Sequence, residues 1–151
     1  MALKEGDSAP DFTVQDDSGK SFQLSSLKGQ EVVLYFYPKA DTPGCTKEAC
    51  EFRDTLSQFK KRHAVVIGVS PDKPSAQAKF KSKYELSFPL LADENHEVAE
   101  AYAVWKEKSM YGKKYMGIER TTFVIGKDGA IKKIFQKVKP EGHAAEVLAA
   151  L

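Results

Sequence analysis

Cysteine and histidine are scarce in this sequence, with two and three copies respectively among 151 residues. Two cysteines cannot form the dense disulfide framework of a small secreted protein, and in a reducing compartment a close pair is more typical of catalytic or redox-active thiols. A structural zinc site needs four clustered cysteine or histidine ligands. The three histidines, His63, His96 and His143, are scattered away from the cysteines, so the sequence predicts no metal site.

Long apolar runs and a strong net charge are also missing. No apolar stretch approaches the ~20 residues needed to span a bilayer, and a formal net charge of +2 is too small to indicate nucleic-acid binding. The start of the chain has neither the apolar core of a signal peptide nor the arginines of a transit peptide. We therefore expect a cytoplasmic protein, or an organellar one if a transit peptide has been removed, with no membrane or nucleic-acid partner.

The composition is that of a globular protein, with 42% hydrophobic and 29% charged residues. The length suits one domain, which we expect to cover residues 1–151. Residues 32–37 and 64–69 are continuously apolar, as in strands buried on both faces of a sheet. Between them, apolar residues recur at spacings of three and four, which predicts a helix from about Pro43 to Arg62. Strand, helix and strand together predict a βαβ unit.

The segments around this unit predict hairpins and further helices. Turn residues between short β-rich stretches predict hairpins at residues 12–24 and 121–135. Helical patterns occur at three further places: residues 75–84, from Asp93, and from Pro140. Residues 106–116 are rich in lysine and tyrosine, and we interpret them as a solvated loop rather than a nucleic-acid patch. The fold class expected is α/β, with a mixed central sheet, helices on both faces and an N-terminal β-hairpin.

The turn between the first buried strand and the long helix carries the clearest chemical signal. Pro38 cannot donate to a sheet ladder and should end the strand. Thr42 is a suitable N-cap and Pro43 fits the first helical position, which makes Cys45 the third helical residue. There the positive end of the helix dipole favours the nucleophilic thiolate. We therefore hypothesise that Cys45 attacks a substrate and that Cys50 resolves the product.

The two cysteines cannot bond while both lie on an intact helix. Five residues advance ~7.5 Å along the axis and ~140° around it, which places the Cα atoms ~8.6 Å apart. A disulfide needs roughly 4.4–6.8 Å between Cα atoms. Cys45 falls at the end of the buried face, and Cys50 falls on the wetter side. Either the pair never bonds, or the first turn and a half of the helix unwinds when it does.

The residues around the first cysteine resemble a known active-site motif. The pattern Pro38-x-x-x-Thr42-x-x-Cys45 is similar to that of the peroxiredoxins, and the run 42–50 resembles the subgroup called bacterioferritin comigratory protein or peroxiredoxin Q. The resemblance extends over nearly the whole chain through two further stretches, 9–12 and 120–124. It implies a thioredoxin-like fold with an N-terminal β-hairpin extension, and the activity of a thiol-dependent peroxidase.

The resemblance also implies a role for each matching residue. Cys45 would attack the O–O bond of hydrogen peroxide or an organic hydroperoxide and become a sulfenic acid. Cys50 would resolve it as an intramolecular disulfide, which thioredoxin or a similar dithiol would reduce. Thr42 would orient the thiolate and the peroxide through its hydroxyl, and Pro38 would shield the pocket from water. Arg120 would stabilise the thiolate and the charge developing on the peroxide oxygens.

Three smaller expectations follow from the same resemblance. Glu48 is expected to hold Arg120 through an ion pair. No cofactor is implied, because both electrons come from thiols. The resemblance also implies a monomer.

Two other functions fit the same cysteines: a general dithiol–disulfide oxidoreductase and a non-enzymatic redox sensor or holdase. The chain departs from thioredoxins in its C-x₄-C spacing and in the absence of a proline directly before Thr121. Both departures favour a peroxidase. A cysteine–histidine hydrolase would need a histidine that only the fold could bring to Cys45.

Overall fold

A computed structural model describes residues 3–151 of the chain. Its strands are β1 (Thr13–Asp16), β2 (Ser21–Gln23), β3 (Glu31–Phe36), β4 (Ala64–Ser70), β5 (Leu90–Ala92), β6 (Trp105–Met110), β7 (Lys113–Ile118), β8 (Thr121–Ile125) and β9 (Ile131–Phe135). Its α-helices are α1 (Pro43–Lys61), α2 (Pro74–Tyr84), α3 (Glu97–Ala101) and α4 (His143–Ala149), and a 3-10 turn spans Leu24–Leu27. One mixed sheet has the strand order β2-β1-β5-β4-β3-β8-β9, and β6 and β7 form a separate hairpin.

The predicted βαβ unit is confirmed and lies at the centre of the sheet. β3 and β4 run parallel, with Val32 opposite Val65 and Phe36 opposite Val69. The β3 side chains from Val32 to Phe36 are almost completely buried, and burial on both faces explains the continuously apolar sequence. α1 connects the two strands and packs its apolar stripe against the sheet. β8 lies antiparallel on the other side of β3.

Helices cover both faces of the sheet, as expected. One core combines buried residues of α1, α2 and α4 with one face of the central strands, and Phe52 and Phe59 of α1 are fully buried there. The other core contains Val98 of α3, Tyr102 and Leu24 of the 3-10 turn. The predicted N-terminal hairpin is confirmed, and its strand β1 joins the sheet by pairing antiparallel with β5.

The interpretation of residues 106–116 as a loop is wrong. They lie in the β6–β7 hairpin, in which Lys106 is opposite Gly117 and Lys108 is opposite Tyr115. Most side chains of this hairpin are exposed. Only the base of the hairpin reaches a core, through Trp105 and Ile118, so no alternation of apolar and polar residues marks most of its length in the sequence.

Two helices begin later than the sequence predicts. α3 begins at Glu97 rather than Asp93, whose carboxylate instead accepts hydrogen bonds from backbone N–H groups of the first helical turn. α4 begins at His143 rather than Pro140, because Gly142 before it takes a left-handed conformation with φ of +79°. Within residues 3–151, no helix has the length and apolar character needed to cross a membrane.

Candidate active site

Cys45 lies at the start of α1, close to the carboxyl end of the central strand β3. The helix begins at Pro43 and Thr42 occupies the N-cap position in an extended conformation, so Cys45 is the third helical residue, as predicted. It is only 1% exposed, and it is a free thiol. Ligand sites of open α/β sheets favour this edge of the sheet, beyond the carboxyl ends of the strands.

Arg120 reaches this thiol from a distant part of the chain. Phe36, the last residue of β3, pairs with Thr121, the first residue of β8. The pairing places Arg120, which immediately precedes β8, beside the start of α1. Its Nη2 donates a hydrogen bond to Sγ of Cys45 at 3.0 Å, and its Nη1 lies 3.1 Å from Oε1 of Glu48. The guanidinium is therefore fixed between the thiol and a carboxyl group, and the expected Glu48–Arg120 contact is present.

Gly44 allows the guanidinium to approach the helix so closely. A Cβ atom at position 44 would lie 2.9 Å from Nη2 of Arg120, which is too close for both atoms to keep their positions. Glycine within a helix also lowers its intrinsic stability by about 1 kcal/mol relative to alanine. The same residue therefore makes room for the arginine and weakens the helical turn that carries Cys45.

Glu48 is a deeply buried carboxyl group whose polar contacts are incomplete. It is 1% exposed, and its Oε2 has no hydrogen-bond partner among residues 3–151. Burial raises the pKa of Glu48 to about 7, although the positive charge of Arg120 acts in the opposite direction and lowers it. The charged form of the Glu48–Arg120 pair therefore becomes populated as the pH rises through the neutral range.

The raised pKa of Glu48 predicts how the stability of the fold depends on pH. A carboxyl group with a higher pKa in the folded state contributes stability that is fully present below its ordinary pKa of 4.5 and is lost as the pH rises through about 7. Relative to a Glu48→Gln variant, the free energy of unfolding of the wild type should therefore fall by about 2–3 kcal/mol between pH ~4 and ~8. Denaturant titrations of both proteins measure the difference, and parallel pH profiles would contradict it.

Thr42 and Pro38 lie on the N-terminal side of the cysteine, but Thr42 does not use its hydroxyl to cap the helix. Its Oγ1 donates instead to the carbonyl oxygen of Lys39 at 2.9 Å, and its side chain makes no capping hydrogen bond to the helix that follows. The predicted N-cap position of Thr42 is thus confirmed. A capping hydrogen bond from its side chain is not formed, because the hydroxyl binds the carbonyl oxygen of Lys39 instead. Pro38 follows β3 by one residue and is half-buried. The roles of both residues toward a peroxide stay predictions.

Cys50 lies on the same uninterrupted helix, on a half-buried side. Arg53, one turn further along, is close enough to interact electrostatically with this thiol, and its Nη1 donates to the carbonyl oxygen of Tyr84 in α2 at 2.7 Å. Because α1 is continuous through both cysteines, helix geometry keeps their Cα atoms ~8.6 Å apart, beyond the range of a disulfide.

Lys108 is a residue near the site that sequence reasoning missed. It is half-buried on β6, and burial together with the nearby Arg120 lowers its pKa. Its side chain passes over Gly117, where an added Cβ would lie 3.4 Å from Cδ of Lys108. Lys106, two residues earlier, forms an ion pair with Glu119 at 2.9 Å. The spacing of two between Lys106 and Lys108 fits one face of a strand, but without apolar residues alternating beside it this spacing does not predict a strand.

His143 is a buried histidine, but its geometry does not support a cysteine–histidine pair. Its Nε2 lies 2.7 Å from Oγ1 of Thr122, and its Nδ1 lies 3.0 Å from Oε1 of Glu146. Nε2 therefore links α4 to β8, and Nδ1 makes a contact within α4. Burial also lowers the pKa of His143. The imidazole therefore serves packing and hydrogen bonding rather than activation of a cysteine.

The chain is similar over nearly its whole length to known proteins. The AhpC/TSA family model matches residues 5–134. The chain is 52% identical over 151 residues to a putative peroxiredoxin bcp of Coxiella burnetii, covering 100% of both chains. It is 51% identical to peroxiredoxin Bcp of Bacillus subtilis, covering 100% of this chain and 96% of the relative.

Solved structures give the same result. A bacterioferritin comigratory protein of Xanthomonas campestris is 40% identical, with a TM-score of 0.89 and coverage of 92% of this chain and 88% of that one. A mutant of Xylella fastidiosa PrxQ is 37% identical, with a TM-score of 0.94 and coverage of 99% and 95%. The expected thioredoxin-like fold with its mixed sheet is therefore confirmed.

Proposed function

Because the chain belongs to the AhpC/TSA family of peroxiredoxins and is a thiol peroxidase, we propose that it reduces hydrogen peroxide and organic hydroperoxides at Cys45. Cys50 resolves the oxidised Cys45 as an intramolecular disulfide, and thioredoxin or a similar dithiol recycles the enzyme. The Xanthomonas campestris relative reduces alkyl peroxides, which supports the organic substrate class. The observation that carries the proposal is the 3.0 Å hydrogen bond from Arg120 to the buried sulfur of Cys45.

In the first step, the thiolate of Cys45 attacks one oxygen of the peroxide. The S–O bond forms as the O–O bond breaks, the sulfur becomes a sulfenic acid, and the second oxygen leaves as water or an alcohol after gaining a proton. The guanidinium of Arg120 stabilises both the thiolate and the negative charge on the departing oxygen. Glu48 engages Nη1 of Arg120, which leaves Nη2 directed at the sulfur.

In the second step, the thiolate of Cys50 attacks the sulfenic sulfur of Cys45. The S–S bond forms, hydroxide leaves and is protonated to water, and a dithiol later supplies two electrons and two protons to regenerate both thiols. The Cα atoms must first approach from ~8.6 Å to within roughly 6.8 Å. We propose that residues 42–51 unwind to allow this approach, helped by the weak helical turn at Gly44.

A Cys50→Ser variant should complete the first step and stop there. After one equivalent of peroxide, Cys45 should carry a sulfenic acid that a dimedone-type reagent traps, because serine cannot attack the sulfenic sulfur. The wild type should instead form the disulfide and give little adduct. Mass spectrometry of the labelled proteins measures both products, with samples lacking peroxide as the control. Peroxide consumption by Cys50→Ser without any adduct would point to another resolving route.

A further inference from the structure

The segment proposed to unwind is held at both ends by one residue of α2. The hydroxyl of Tyr84 donates to Oδ1 of Asp41 at 2.6 Å, directly before the segment begins. The backbone carbonyl of Tyr84 accepts a hydrogen bond from Nη1 of Arg53 at 2.7 Å, three residues beyond Cys50. Residues 42–51 thus lie between two contacts to the same residue.

The contact at Asp41 is reinforced by a second donor. Nζ of Lys83 lies 2.9 Å from Oδ2 of Asp41, and hydrogen bonds from Tyr84 and Lys83 hold the pKa of Asp41 below its usual range. Asp41 therefore stays an ionised acceptor at neutral pH. Its backbone has a left-handed φ of +60°, a conformation that a residue other than glycine keeps only when its surroundings hold it there.

Tyr84 is itself well anchored. Its ring packs edge-on against Phe80 with 5.6 Å between centroids and lies against the core that contains α1. Its carbonyl is bound by Arg53, which sits one helical turn from Cys50. Movement of either end of the segment therefore breaks a hydrogen bond to a fixed residue of α2.

We propose that Tyr84 is a positioning residue for the resolving step, because it holds residues 42–51 in the helical form. The inference rests on the proposed function. In the helical form, a second peroxide oxidises the sulfenic acid of Cys45 to a sulfinic acid and leaves as water or an alcohol. In the unwound form, Cys50 forms the disulfide and releases water. The hold that Tyr84 exerts thus sets the proportion of enzyme lost to sulfinic acid at high peroxide.

A Tyr84→Phe variant tests the role because it removes only the hydroxyl and keeps the ring and the carbonyl. Disulfide formation after the first oxidation should become about fivefold faster, the change expected from losing one hydrogen bond of ordinary net strength. The peroxide concentration that converts half of Cys45 to sulfinic acid should rise by a similar factor. Amide exchange across residues 44–51 should accelerate, whereas the rate of the first oxidation should not change. Rapid-quench mass spectrometry resolves these species.

Two further variants separate a specific role from a general loosening. Tyr111→Phe removes the hydroxyl of a tyrosine that is 99% exposed and should behave like the wild type. Asp41→Ala should accelerate disulfide formation at least as much, because it also removes the contact with Lys83, and adding Tyr84→Phe to it should change nothing more, because the acceptor is already gone. The role of Tyr84 would be overturned if Tyr84→Phe formed the disulfide at the wild-type rate, or if Tyr84→Phe further accelerated the Asp41→Ala variant. Neither result would affect the proposed function. A wild type that never forms the disulfide would overturn the proposed function as well.

Discussion

Replacing Cys45 with serine should abolish peroxide reduction, lowering its rate by at least ~10³-fold. A serine hydroxyl is scarcely ionised at neutral pH and cannot become a sulfenic acid, so neither the attack on the O–O bond nor the later disulfide can occur. The substitution leaves Arg120 and Glu48 in place, so the loss can be assigned to the sulfur. The measurement is consumption of reduced thioredoxin, or of a small dithiol in its place, with and without peroxide.

The same assay separates the peroxidase from its two rivals. Substantial peroxide reduction by Cys45→Ser would refute the role of Cys45. Turnover of protein disulfides by the wild type without peroxide would favour a general dithiol–disulfide oxidoreductase. Oxidation of Cys45 without turnover under a supply of reduced thioredoxin would favour a redox sensor. Cys50→Ser is the matched control, because it removes the other thiol and should keep the first oxidation.

Replacing Arg120 with methionine should slow the first oxidation by about 10²–10³-fold. Methionine keeps much of the side-chain length, but it removes the donor that lies 3.0 Å from Sγ of Cys45 and the positive charge that stabilises the thiolate and the departing oxygen. The second-order rate constant with hydrogen peroxide, measured in a single turnover, reports this loss without a contribution from thioredoxin.

The control for this variant is Arg62→Met. Arg62 follows the far end of α1, where its guanidinium binds the carbonyl oxygen of Leu148 at 3.1 Å, so it should not affect the first oxidation. Arg120→Met also leaves the buried carboxyl group of Glu48 without its partner, and the double variant with Glu48→Gln replaces that ionisable group if the single variant folds poorly. A rate within threefold of the wild type in both Arg120 variants would contradict the electrostatic role.

Local sequence patterns were sufficient to predict the central part of the fold. The apolar stripe of α1 has the spacing of one helical face, and the short continuous apolar runs of β3 and β4 are typical of strands buried on both faces. The N-cap position, Pro43 and Cys45 follow from the same register, because each depends on neighbours within one helical turn. The failures have local causes as well. The β6–β7 hairpin is buried only at its base, and the start of α4 depends on the conformation of Gly142.

The parts of the site that depend on long-range pairing could not be derived from local pattern. Arg120 lies 75 residues from Cys45 and reaches it only because β8 pairs with β3, a register that the sequence does not specify. The resemblance to a known family implied a role for Arg120, and the structure gives the 3.0 Å distance between its Nη2 and Sγ of Cys45. Tyr84 and Asp41 belong to no motif, and a tyrosine at the end of a helix has many possible partners before the chain is folded.

The most direct test of the account is the intact mass of the reduced protein after one equivalent of peroxide, with and without alkylation of free thiols. We predict a mass lower by two hydrogen atoms and no alkylation, because Cys45 and Cys50 have formed a disulfide within one chain. A protein that consumes the peroxide yet keeps both cysteines open to alkylation would contradict the account.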